Sequence, residues 1–196
     1  MTQPPKNISQ HFREAFFSLG ILVGIMWVLE TLNWSLPGLQ LDAYGIHPQN
    51  PRWLVGIVLA PFLHGSWTHL MANTPPFLLF GGLIVLRSVK EFWLVTIISM
   101  LISGLGVWLI SPIDSVTVGA SGVIFGYLGF LLLDGFFKRK ILSIAISLGV
   151  GFFYGSLIWQ ALPSAPNVSW QAHLFGLIGG ILAASFLSPR TINNKG

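Results

Sequence analysis

Cysteine is absent from this 196-residue chain, and only 8% of its residues are charged. Soluble globular domains carry roughly 25% charged residues. Ten Lys/Arg and six Asp/Glu cannot cover the surface of a folded domain in which 53% of residues are apolar. That excludes an ordinary soluble fold. The lack of cysteine removes disulfide scaffolds, Cys-based zinc sites and thiol nucleophiles. Disorder fails on the same apolar excess. The formal net charge of +4 is small and scattered, which argues against nucleic acid as a partner. No internal repeat, low-complexity tract or soluble second domain interrupts the chain. What remains is a multi-pass membrane protein.

A helix needs roughly 20 residues to cross about 30 Å of hydrocarbon. Six stretches approach that length, at residues 16–34, 70–86, 92–110, 119–133, 141–162 and 170–187. The first is no signal peptide, since its flank is weakly basic and no small-residue cleavage site follows it. Residues 36–69 form a long loop between spans one and two. Within it, the mostly apolar segment from Trp53 to Leu63 is too short to cross and reads as interfacial or partly embedded. The expected fold is an all-α membrane protein, a six-transmembrane helical bundle with that loop on its outer side. Residues 1–15 and 189–196 read as cytoplasmic tails around a membrane domain at 16–188.

Basic residues set orientation. Lys6, Arg13, Arg87, Lys90, Lys138, Arg139, Lys140, Arg190 and Lys195 fall on one side, and only Arg52 on the other. Both termini are therefore expected in the cytoplasm, with the chain in the plasma (inner) membrane. Lys138–Lys140 is a topology signal first and a lipid-headgroup site second. Trp residues near span ends anchor the interface. His11 and His47 read as solvated. Glu30 reads as a satisfied polar group near the outer end of span one.

Polar groups inside a bilayer are costly, and each needs a reason. Spans two, four and six all run from outside to inside. His69 and Asn73, Ser121, and His173 therefore lie near the outer ends of three different spans. Any one of them alone reads as a hydrogen-bonded packing residue. Together, at one depth, they suggest chemistry. A serine needs a base to become a nucleophile, and His173 is a candidate base for Ser121. Ser121 opens a helix, where free N–H groups and the positive dipole end can hold an oxyanion. His69 and Asn73 are four apart, on one helical face, and can add donors.

Other proteolytic chemistries fit worse. His64 and His69 are five apart with no Glu between them, so no zinc motif is present. Asp134 and Asp114 fall on opposite sides of the membrane and cannot share a proton. Intramembrane charge chains and paired half-helices, the marks of a transporter, are lacking.

At three places the sequence resembles the rhomboid family of intramembrane serine proteases. They are His64-Gly-Ser-Trp-Thr-His69-Leu-Met-Ala-Asn73, Gly119-Ala-Ser121-Gly122-Val-Ile-Phe-Gly126, and Ala172-His173-Leu-Phe-Gly176 with Gly180 following. The resemblance covers about residues 16 to 188. It implies a rhomboid-like fold in which Ser121 is the nucleophile and His173 the general base of a dyad. It further implies His69, Asn73 and the Ser121 N–H as oxyanion stabilisers, and His64 in a structural or assisting place. Gly119, Phe125, Gly176 and Gly180 would support the site. Transmembrane protein substrates in the lipid bilayer are implied as partners, reached laterally, with a mobile cap at about 163–169. No metal or cofactor is implied. The rival reading is a catalytically inactive rhomboid-like protein that binds transmembrane clients.

Two positions depart from the family pattern. Phe125 stands where many members have Tyr; it can stack under His173 but brings no hydroxyl. Arg52-Trp53 is displaced and reversed relative to the usual Trp-Arg pair, which leaves open how the outer loop is anchored. The pairs Gly122/Gly126 and Gly176/Gly180 are each four apart. They suggest a close contact between spans four and six that brings Ser121 towards His173, or else generic helix packing.

Overall fold

The computed structural model describes residues 8–163 and 168–187. Seven α-helices are present among them: α1 (Ile8–Ser35), α2 (Gly56–Leu59), α3 (Trp67–Val85), α4 (Val89–Ile110), α5 (Ser121–Lys138), α6 (Ile141–Tyr154) and α7 (Trp170–Leu187). There is no strand among the described residues, and one isolated antiparallel bridge joins Ile46 to Thr117. Five segments are long and apolar enough to cross a membrane: α1, α4, α5, α7, and α6 together with the 3-10 turns that follow it (Ile141–Ala161). The sixth expected span, α3, has 19 residues. Its first half carries His69, Asn73, Thr74, Pro75 and Pro76, which lower its apolar character.

Local chemistry explains the helix starts. Ser66 accepts a hydrogen bond from the His69 N–H at 3.2 Å and opens α3. Ser88 accepts from the Glu91 N–H at 3.2 Å and opens α4. Both are side-chain N-caps. Three boundaries differ from the apolar runs. Helix α1 begins at Ile8, within the stretch read as a tail. Helix α5 runs on to Lys138, because Asp134 and Lys138 form an i,i+4 ion pair at 3.0 Å and need not leave the helix. The fifth run tightens from α to 3-10 geometry at Gly155.

Helix α5 is the most enclosed span and α6 the least. Small residues set the packing of α5 against α7. A methyl group on Gly176 would strike the Gly122 carbonyl, and one on Gly180 the Gly126 carbonyl. From the other side, Ser99 and Ser103 of α4 press on Gly126 and Gly122. Ser103 Oγ donates to the Ala172 carbonyl at 3.0 Å, tying α4 to α7. Deeper in the bundle, Thr96 Oγ1 donates to the Phe92 carbonyl and lies 2.7 Å from the Tyr127 hydroxyl. The hydroxyl of Tyr127 therefore donates to Thr96, and both groups are satisfied.

Backbone bonds anchor the loop between α1 and α3. Ile46 and Thr117 exchange N–H···O bonds of 2.9 and 3.1 Å, and Gly119 N–H donates to the Ala60 carbonyl at 2.8 Å. The Trp108 indole reaches the Asn50 carbonyl at 3.3 Å. Trp53 packs on His47, ring centres 4.6 Å apart, while Arg52 is exposed. Main-chain pairing with the α4–α5 connection thus holds the loop. His47 is half-buried and its Nε2 lies 2.8 Å from the Ala43 carbonyl, so it is not simply solvated.

At the opposite end, Arg87 pairs with Asp134 at 2.8 Å and with Glu91 at 3.1 Å. Lys138 pairs with Glu91 at 2.6 Å. Both cations lie 5.6 Å from the centre of the Phe130 ring. Four charges from α4, α5 and the α3–α4 connection thus neutralise one another. Glu30 departs from its expectation: it is buried, and its Oε2 has no partner among the described residues.

Candidate active site

Helices α3, α5 and α7 begin at one end of the bundle, where α4 and the 3-10 turns after α6 finish. A cavity of about 1080 Å³ opens there. His69, Asn73, Ser121, Phe125 and His173 all line it. Three elements far apart in sequence therefore bring the predicted residues to one wall-and-floor arrangement.

Ser121 is the first residue of α5, and no side chain caps that helix start. Its leading N–H groups are free to serve a ligand. Gly119, two residues earlier, has φ +112°, and the His69 ring occupies the space a β-carbon would take. Only glycine satisfies both conditions. Phe125 lies one turn below Ser121, and its ring stacks on His173 at 4.0 Å with an interplanar angle of 4°.

His173 is buried on α7. Its Nδ1 lies 2.9 Å from the Gln160 carbonyl, the only hydrogen bond of the ring among the described residues. A carbonyl only accepts, so Nδ1 carries the proton and Nε2 keeps its lone pair. That is the tautomer a general base needs. The Ser121 hydroxyl makes no direct hydrogen bond to His173 among the described residues; such bonds are often loose before substrate binds.

Asn73 Nδ2 donates to the His69 carbonyl at 2.8 Å, which leaves its second amide hydrogen for the cavity. His64 is fully buried, edge-on to His69 with ring centres 5.1 Å apart. Neither His64 ring nitrogen meets hydrogen-bond geometry with a described residue. Burial pushes the His64 pKa down to about 4, helped by nearby His69 and weakly opposed by the Phe62 backbone. His64 is thus held neutral behind His69. No group of three or more His, Cys, Asp or Glu that could hold a metal occurs among the described residues.

Sequence reasoning missed two features. The Gln160 carbonyl is a backbone atom, and no residue type announces it. Pro76 lines the cavity with Ala72; in the sequence Pro75 and Pro76 mark only an interruption early in the second span. The expected cap falls largely on residues 164–167, outside the described residues.

Comparison with known proteins identifies the family. A family profile described as "Rhomboid domain" matches residues 51–190. The chain is 42% identical over 174 residues to "Uncharacterized protein Rv1337" of Mycobacterium tuberculosis (strain ATCC 25618 / H37Rv), covering 85% of this chain and 72% of that one. It is 36% identical over 206 residues to "Uncharacterized protein ML1171" of Mycobacterium leprae (strain TN), covering 96% and 81%. It is 30% identical over 158 residues to "Rhomboid-like protein 11, chloroplastic" of Arabidopsis thaliana, covering 70% and 54%. A multi-pass helical bundle with this profile match belongs to the rhomboid family.

Proposed function

We propose that the chain is an intramembrane serine endopeptidase that cleaves transmembrane protein substrates with a Ser121–His173 dyad. The observation that supports this best is the His173 ring. It is clamped between the Gln160 carbonyl and the Phe125 face, in the same cavity as Ser121, with Nε2 free to accept a proton.

In this mechanism His173 Nε2 takes the hydroxyl proton as Ser121 Oγ bonds to the substrate carbonyl carbon. The resulting oxyanion accepts from the N–H groups at the start of α5, from Asn73 and from His69. Collapse breaks the C–N bond, and His173 returns the proton to the leaving amine. Water then attacks the acyl-enzyme by the same route and releases Ser121. His64 backs His69, Gly119 makes room for the His69 ring, and Gly176 and Gly180 admit the α5–α7 contact. Residues 16–188 form the functional unit. The basic ends of the spans face the cytoplasm, so the cavity opens to the outer side of the plasma membrane.

Purified protein in liposomes with a model transmembrane substrate tests the proposal. Ser121→Ala and His173→Ala each abolish cleavage, and a fluorophosphonate probe labels Ser121 in the unaltered chain. Undiminished cleavage by either variant refutes the dyad. Absent labelling and absent cleavage in the unaltered chain would favour a client-binding protein.

A further inference from the structure

Residues 75 and 76 are consecutive prolines inside α3. Proline has no N–H, so the carbonyls of Met71 and Ala72 have no donor four residues further on. The preceding turn is provided for in the opposite sense. There the carbonyls of His69 and Leu70 receive extra side-chain donors, Asn73 Nδ2 and Thr74 Oγ1, each at 2.8 Å. Within four residues the helix thus passes from over-supplied carbonyls to carbonyls that lack the regular donor four residues on.

The two freed carbonyls lie on different faces. Met71 and Pro75 are both exposed and lie outside the cavity lining. Ala72 and Pro76 both line the cavity, on the same strip of α3 as His69 and Asn73. The missing bond from residue 72 to residue 76 therefore falls on the cavity wall. A proline ring crowds the carbonyl four residues before it and turns it outward. In a membrane such backbone is tolerated where it meets protein or a water-filled cavity.

A transmembrane substrate has the complementary need. To expose a peptide bond for cleavage it must unwind, and its freed N–H groups then lack carbonyl partners. We propose that the Ala72 carbonyl, released by Pro76, accepts a main-chain N–H of the unwound substrate segment seated in the cavity. Pro76 is then a positioning residue that acts by withholding a donor. The inference rests on the protease reading above and adds an acceptor on α3 to the oxyanion donors of α3 and α5.

The test uses the full chain in liposomes and a transmembrane peptide substrate. Single amides flanking the cut bond, but not the cut bond itself, are replaced by esters, which removes one N–H at a time. In the unaltered chain one ester position raises KM about two- to tenfold, the worth of one hydrogen bond, with kcat little changed. Pro76→Ala supplies the missing helical N–H. It raises KM of the all-amide substrate by a similar factor and abolishes the penalty at that ester position. Pro76→Val serves equally if Pro76→Ala fails to fold. Pro75→Ala, on the other face, leaves the ester penalty in place. An ester penalty of the same size in the Pro76 variants and the unaltered chain overturns the inference, as does the absence of any sensitive position. Fluorophosphonate labelling of the same samples separates the two levels. If Ser121 is labelled, such a result overturns the Ala72 acceptor alone; if Ser121 is unlabelled, the protease reading falls and takes the acceptor with it.

Discussion

His173 owes its proton arrangement to a backbone oxygen, the Gln160 carbonyl at 2.9 Å. A carboxylate would stabilise a charged imidazolium more strongly; a carbonyl fixes the tautomer at lower desolvation cost in an apolar bundle. The Phe125 face completes the clamp. Removing that face in Phe125→Ala should cost about 1 kcal/mol of ring contact and lower kcat several-fold, whereas Phe125→Tyr should stay within about twofold; steady-state cleavage decides between them. His64 supplies a second residue-scale prediction. Its folded pKa of about 4 lies below the ordinary 6.5, so the unfolded chain binds the extra proton. Stability from this site is present above pH 6.5 and is lost as pH falls from 6.5 towards 4. Unfolding of His64→Gln in micelles should show a shallower loss across that window, and an unchanged slope would count against the neutral, buried state.

At the scale of elements, the contact between α5 and α7 is a backbone-to-backbone approach. Gly176 and Gly180 sit against the carbonyls of Gly122 and Gly126. No side chain fits there, and Ser121 and Phe125 ride on the same helix as that seam. Glycines elsewhere are different: Gly149 of α6 meets nothing within 4 Å of an added β-carbon. One chemical change should therefore have opposite signs. Gly176→Ala should destabilise by about 1–3 kcal/mol through overpacking. Gly149→Ala should stabilise by roughly 0.5–1 kcal/mol through reduced backbone entropy. Thermal unfolding of both variants in one detergent checks the contrast. The loop between α1 and α3 is held by pairing as well as packing: Ile46–Thr117 and Gly119–Ala60 are main-chain bonds, and Ile46 and Ala60 are buried with Val107 and Ala172.

Across the whole molecule, the two ends of the bundle differ in kind. One end holds an open cavity lined by polar and apolar side chains and by no Asp, Glu, Lys or Arg among the described residues. The other is pinned by Arg87, Glu91, Asp134 and Lys138, with the Asp134 side chain 1% exposed. Removing one partner of a buried ion pair leaves an uncompensated charge, so Asp134→Asn should cost about 3 kcal/mol. Glu91→Gln should cost less, because Glu91 is 21% exposed and better screened. Chemical denaturation ranks the two. Orientation has an equally direct check, because the chain has no cysteine. Single cysteines at Arg52→Cys and Lys140→Cys should react with a membrane-impermeant maleimide from opposite sides.

Composition and apolar run length were sufficient to read a multi-pass helical bundle from the sequence. The reason is that bilayer thickness is an external ruler which acts on each segment separately. The residues of the candidate site were legible for a similar reason: polar side chains are rare at membrane depth, and three spans carry them at one level. Segment-by-segment physics could not supply what depends on two segments at once. The Gln160 carbonyl facing His173, the four-charge cluster and the loop pairing are of this kind. So is the Glu30 Oε2 atom, buried with no hydrogen-bond partner among the described residues. Each is decided by which backbone or side chain the folded bundle brings alongside, and only tertiary structure fixes that distance and direction.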